Sequence, residues 1–131
     1  MRKVILASGN KGKLVELQAI LQQKDVHLVP QSEFAVVDAD ETGLSFVENA
    51  LIKARHACLA TGLPAISDDS GIEVDALGGE PGIYSARYAG SHGAAAEKEN
   101  NAKLLHELRN IPEAERTARF QCVITYMRHD K

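Results

Sequence analysis

Val4-Ile5-Leu6-Ala7-Ser8-Gly9-Asn10-Lys11-Gly12-Lys13-Leu14 reads as a strand, a loop and a helix in immediate succession. Val4 to Ala7 is a short apolar run of the kind a buried strand shows, and the next six residues contain nothing apolar. Leu14, Leu17, Ile20 and Leu21 then recur at helical spacing, which predicts a helix over about residues 12–22. This order aims the helix N-terminus, with its free backbone N–H groups, at whatever the loop holds. Glycines let the backbone approach a phosphate closely and lysines bring positive charge. Ser8, Gly9, Asn10, Lys11, Gly12 and Lys13 are therefore candidate ligands of a polyphosphate. The stretch is not a Walker A loop: only two residues separate Gly9 from Gly12, and Leu14 stands where a Ser or Thr would meet magnesium. An ordinary turn with surface lysines explains the same residues equally well.

The chain has 131 residues, enough for one domain with a real core, so residues 1–131 are expected to form a single domain. A hydrophobic share of 44% with 25% charged residues is that of a globular protein. A net charge of −3 gives no general attraction to nucleic acid or to a membrane surface, and neither is expected as a partner. Cys58 and Cys122 lie far apart within apolar patterns and read as buried thiols of a reducing compartment. The five histidines show no zinc-ligand spacing. The N-terminus leads directly into a strand and no long apolar span follows, which makes the cytoplasm the expected location.

Further along, Val26 to Val29 predicts a second strand, and Ser32 to Gly43 a polar, acidic loop. Ser45-Phe46-Val47-Glu48 is a capping box that opens a helix. Phe46, Val47, Ala50, Leu51, Ala54, Ala57 and Cys58 form its apolar stripe, and Asn49, Lys53, Arg55 and His56 its opposite face. Gly62 and Pro64 end it. Ala65 to Ser67 predicts a short strand running into an Asp68-Asp69-Ser70-Gly71 turn, after which Ile72, Val74 and Ala76 alternate as a half-buried strand. A weaker helix is expected over residues 94–108, with Leu104, Leu105 and Leu108 inward. Arg116 to Arg128 alternates as a strand that places Ala118, Phe120, Cys122, Ile124 and Tyr126 on one face.

Two adjacent carboxylates where a backbone turns can approach one metal ion, and magnesium prefers carboxylate oxygens and water. Asp68 and Asp69 are candidates for this, with Glu41 from the acidic loop completing the shell and Lys53 reaching a phosphate. A solvated turn and a solvated loop explain each of these alone. Together, a cationic phosphate loop, an acid pair, a third acid and a helix lysine are the parts that phosphoryl chemistry needs.

Six motifs in order carry a resemblance to a known family. They are Ser8 to Glu16, Glu41 to Ala50, Lys53 to Arg55, Asp68 to Gly71, the twelve residues Gly79 to Gly90, and Ala118 to Cys122. The chain resembles the inosine triphosphate pyrophosphatase family over its whole length, with the bacterial enzymes that clear non-standard purine nucleotides as the nearest likeness. The resemblance implies an α/β fold with an elongated central mixed β-sheet flanked by helices, and two lobes with a cleft between them. It implies a homodimer and magnesium-dependent hydrolysis of ITP, dITP and XTP to the monophosphate and pyrophosphate. It implies that Ser8 to Lys13 hold the triphosphate, with Lys13 and Lys53 neutralising it. Glu41 and Asp69 would hold magnesium, Asp69 would also activate water with Asp68 in support, and Ser70 would contact substrate.

Family members are longer, and two base-reading segments of their C-terminal part, an aromatic-Gly-Tyr-Asp-Pro type and a Ser-His-Arg type, do not occur in this sequence. The expectation is that the C-terminal portion of the fold is missing and that residues 1–131 hold the phosphate-and-metal half of the site. The alternative is a catalytically impaired nucleotide-binding or dimerisation fragment. The Maf-like pyrophosphatases would carry Ser-Pro-Arg-Arg after the first strand, where this chain has Gly9-Asn10-Lys11-Gly12-Lys13.

Overall fold

A computed structural model of the chain describes residues 2–8, 11–90 and 95–128. Their element order is β1 (Arg2–Leu6), α1 (Lys11–Leu21), β2 (Val26–Pro30), α2 (Phe46–Thr61), β3 (Ala65–Val74), α3 (Ala96–Glu107) and β4 (Ala118–Met127). The four strands form one sheet in the order β2-β1-β3-β4. β1 runs parallel to β2, from Arg2 opposite Val26 to Leu6 opposite Pro30, and parallel to β3, with Ile5 opposite Ala65 and Leu6 opposite Ile66. From Glu73 to Asp75 the partner on β4 retreats from Gln121 to Thr117, so β4 is antiparallel and the sheet is mixed.

Val4, Ile5, Leu6 and Ala7 are all buried, because a central parallel strand is covered on both faces and reads as a continuous apolar run. On one face Val4, Leu6, Leu28 and Ile66 pack with Leu14, Leu17 and Leu21 of α1. On the other Ile5, Ala7, Val29 and Ala65 pack with Ala57 and Cys58 of α2. Ile20, expected in the α1 stripe, points outward. Gln18 covers the outer edge of β2: its amide N–H donates to the Val26 carbonyl at 3.0 Å and its Oε1 accepts from the Leu28 N–H at 2.7 Å. An open strand edge is protected in this way.

The chain divides into two compact units, residues 1–69 with 123–131, and residues 70–122. In the second unit, Asn100 of α3 fastens the segment of residues 85–89. Its Nδ2 donates to the Ser85 and Ala86 carbonyls and its Oδ1 accepts from the Ala89 N–H.

Three expectations need correction. Ala65 to Val74 is one continuous ten-residue strand with no turn at Asp68-Asp69-Ser70-Gly71. Phe120, Cys122, Ile124 and Tyr126 do share a face of β4, but it is the exposed one, so Cys122 is an exposed thiol while Cys58 is buried. Leu105 of α3 is exposed, and Leu108 is the leucine that buries. Among the described residues no helix is long and apolar enough to cross a membrane.

Candidate active site

The strand order 2-1-3 reverses direction at β1. The chain leaves β1 through α1 on one side of the sheet, and enters β3 through α2 from the other. Two parallel strands whose connections part in this way leave a crevice beyond their carboxyl ends, which is where ligands bind in open α/β sheets. Ser8 lies there, just beyond β1. Asp68 and Asp69 lie there too, past Ile66, the last residue of β3 registered with β1.

Because β3 is regular through this point, its side chains alternate between faces. Ser67 faces α2 and donates its hydroxyl to the Ala50 carbonyl. Asp68 faces α1, where Oδ2 meets the Lys13 ammonium at 2.7 Å. Asp69 faces α2, where Oδ1 lies 4.0 Å from the Lys53 ammonium. The two carboxylates do not converge on one point, because only a turn would have allowed that. Asp69 converges instead with Glu41, whose Oε1 is 3.3 Å from the same Lys53 nitrogen.

Lys11, Gly12 and Lys13, expected in the loop, form the first turn of α1. Lys11 and Gly12 are exposed and Lys13 is half-buried against Asp68. Gly9 and Asn10 lie outside the described residues. Ser70 follows Asp69 in β3 as the half-buried first residue of the second unit.

The segment that carries Glu41 is fixed at three points. The Gln31 amide donates to Asp38 Oδ1 at 2.6 Å, His56 Nε2 donates to the Val37 carbonyl at 2.6 Å, and the Gly43 N–H donates to Asn49 Oδ1 at 2.8 Å. Ala7, Ser8, Gln31, Asp38, Ala39, Glu41 and Lys53 together line a polar cavity of about 150 Å³. Gln31 carries no signal in the sequence that marks it for the site. Asn49, which the sequence places on the face of α2 opposite the apolar stripe, is fully buried. Its spacing from Lys53, four residues on the same helix face, was the available signal.

Asp69 is 7% exposed, and burial is the main cause that raises its pKa above the ordinary carboxylate value. Lys53 and Asn49 oppose the shift, while Glu41 and Asp68 add to it. Asp69 Oδ2 and Asp68 Oδ1 are buried without a hydrogen bond. Buried carboxylate oxygens normally have partners, so these two are orphaned acceptors. Glu41 and Asp69 offer hard oxygen donors, that of Asp69 Oδ2 orphaned, and such donors suit a divalent cation such as magnesium. Among the described residues no three or more His, Cys, Asp or Glu side chains are grouped so as to hold a metal ion by themselves.

Gly43 is close-packed against α2: a Cβ there would stand 2.6 Å from Glu48 Cβ and 2.8 Å from Asn49 Oδ1. Gly43→Ala is expected to destabilise the fold by about 1–3 kcal/mol, the usual cost of overpacking, as read by urea unfolding. An unchanged midpoint would mean that the segment shifts freely and does not fix Glu41.

The Ham1 family model matches residues 4–131. The chain is 60% identical over 129 residues to a dITP/XTP pyrophosphatase of Xylella fastidiosa, and 56% identical over 129 residues to one of Salmonella paratyphi A. Each alignment covers 98% of this chain, which spans 64% of the length of those relatives. Among solved structures, a HAM1 protein from Coxiella burnetii superposes with a TM-score of 0.89 at 46% identity, covering 99% of this chain and 65% of that one. The Ham1 protein of Staphylococcus aureus follows with a TM-score of 0.83 at 42% identity, covering 99% and 65%. With the family model matched over residues 4–131 of this chain and the same fold found in these solved structures, the chain belongs to the Ham1 family.

Proposed function

We propose that this chain carries the phosphate-handling machinery of a nucleoside triphosphate pyrophosphatase acting on the non-standard purine nucleotides ITP, dITP and XTP. The observation that carries the reading is the pairing of two candidate lysines with candidate carboxylates beyond β1 and β3: Lys13 with Asp68, and Lys53 with Asp69 and Glu41. A polyphosphate entering such a site exchanges partners with it. The lysines turn to phosphate oxygens, and the released carboxylates are free to accept the proton of water and would hold a divalent cation.

In this reading Asp69 accepts a proton from the water that attacks the α-phosphorus, and the bond to the bridging oxygen of pyrophosphate breaks. Lys13 and Lys53 offset the negative charge that accumulates on the leaving pyrophosphate. Ser8 and the backbone at the start of α1 bind the phosphate tail, with Ser70 as a further contact. Asp68, on the α1 side of β3, supports the site by holding Lys13. Glu41 and Asp69 are the residues that would hold magnesium, which when bound supplies electrostatic stabilisation of the phosphoryl oxygens. The same reading makes the protein a cytoplasmic homodimer. The names of the relatives, dITP/XTP pyrophosphatase, support the substrate class.

The test is pyrophosphate release from ITP and from GTP by this chain in magnesium. Release that favours ITP is the expected result, and it places base discrimination within residues 1–131. Binding of both triphosphates with no release would overturn the hydrolytic reading for this chain, and would favour a nucleotide-binding fragment.

A further inference from the structure

Asn49 is wholly buried in the first turn of α2, yet it makes one hydrogen bond where its carboxamide can make four. Its orientation is fixed by the partner of that bond. The Gly43 N–H can only donate, so the atom it meets at 2.8 Å is the amide oxygen. The amide nitrogen therefore turns the other way, where it is buried without a hydrogen bond. Asp69 Oδ2 is buried without one as well, while Lys53 engages the other oxygen of that carboxylate. The Asn49 amide is a side-chain neighbour of the Asp69 carboxylate, short of full hydrogen-bond geometry. An unpaired buried amide is costly, and it persists where a neighbouring group needs it.

We propose that Asn49 is a positioning residue for the cation site, one carboxamide that ties the Glu41 segment by its oxygen and orients the Asp69 carboxylate by its nitrogen. Glu41 and Asp69 come from different parts of the chain, a loop and a strand. Nothing in the backbone between them sets their separation, because twenty-seven residues and all of α2 intervene. Asn49 meets both through rigid links. Gly43 is two residues from Glu41 and packs too closely against Asn49 to admit a methyl group. The hydroxyl of Ser67, two residues before Asp69 on the same face of β3, is bound to the carbonyl of Ala50, the residue after Asn49. A side chain so placed acts on a cation through its ligands, and loss of such a partner costs about 10–100-fold in metal affinity or activity.

The inference rests on the reading of Glu41 and Asp69 as the cation-holding pair, and the experiment separates the two. Manganese alone is titrated into this chain and followed by electron paramagnetic resonance, with no nucleotide present. The proteins are the wild type, Asn49→Ala, Asp69→Asn and the double variant. Asn49→Leu, which keeps the packing volume, serves if the alanine variant does not fold. Asn49→Ala is expected to weaken manganese binding at least tenfold, with no further loss when Asp69 is already Asn. Unchanged affinity, or the same loss in both backgrounds, would overturn the positioning role and leave the cation pair standing. Equal manganese binding by the wild type and by Asp69→Asn would overturn the cation pair, and the role of Asn49 with it.

Discussion

Asp69→Asn is expected to lower pyrophosphate release from ITP by about 10²–10⁴-fold, the usual contribution of a positioned general base. The amide keeps the shape of the side chain and its place in β3 but cannot accept the proton of water. The same change is expected to stabilise the metal-free protein at neutral pH. Burial raises the pKa of Asp69 above its ordinary value, against the opposing effect of Lys53. A carboxyl with a raised folded-state pKa gives its relative stability below the unfolded value, and that stability is lost as pH rises through the folded value. At pH 7.5 the wild type therefore carries the cost of a buried charge that Asn does not. The melting temperature of Asp69→Asn should exceed that of the wild type at pH 7.5 without metal, and the gap should close toward pH 4. A variant less stable at pH 7.5 would show that the pair with Lys53 outweighs burial.

Lys53→Met is expected to have two effects of opposite sign. Turnover of ITP should fall about 10²–10³-fold in kcat/KM, as when one preorganised charge-stabilising group is removed from an active site. Manganese should bind more tightly in the absence of nucleotide. The Lys53 ammonium contacts both Glu41 and Asp69, so a metal ion entering an empty site competes with it for the same oxygens. Kinetics with ITP and a manganese titration of the free protein check both halves. Weaker manganese binding would mean that Lys53 chiefly holds the two carboxylates together and does not compete for them.

The second helix was legible in the sequence because its signals are local. Ser45 Oγ accepts from the Glu48 N–H at 3.1 Å, and Gly62 takes the left-handed conformation that closes the helix. Even there the Glu48 carboxylate returns to the Leu44 N–H, one residue beyond the partner expected from a capping box. The first strand and the first helix were legible for the same reason, with the helix beginning at Lys11, one residue sooner than expected.

What the sequence concealed depends on distant partners. Asp68-Asp69-Ser70-Gly71 has the composition of a turn, and pairing within the sheet overrides that preference. Asn49 has the polarity of a surface residue, and its burial follows from Gly43 and β3 closing over it. The outward turn of Phe120 and Ile124 runs against their hydrophobicity, so alternation gave their shared face without its direction.

Asp68 and Asp69 are chemically identical, and only the parity of their positions along β3 distinguishes them. The sheet works as a partition with one acid on each side, so the division of labour between them is encoded as a count. Inserting or deleting a single residue between Ala65 and Ser67 would exchange the two acids, giving Lys53 the neighbour of Lys13, with every reactive group still present in the chain. In this chain the number of residues leading to the acid pair, and not only their identity, decides which lysine each acid meets.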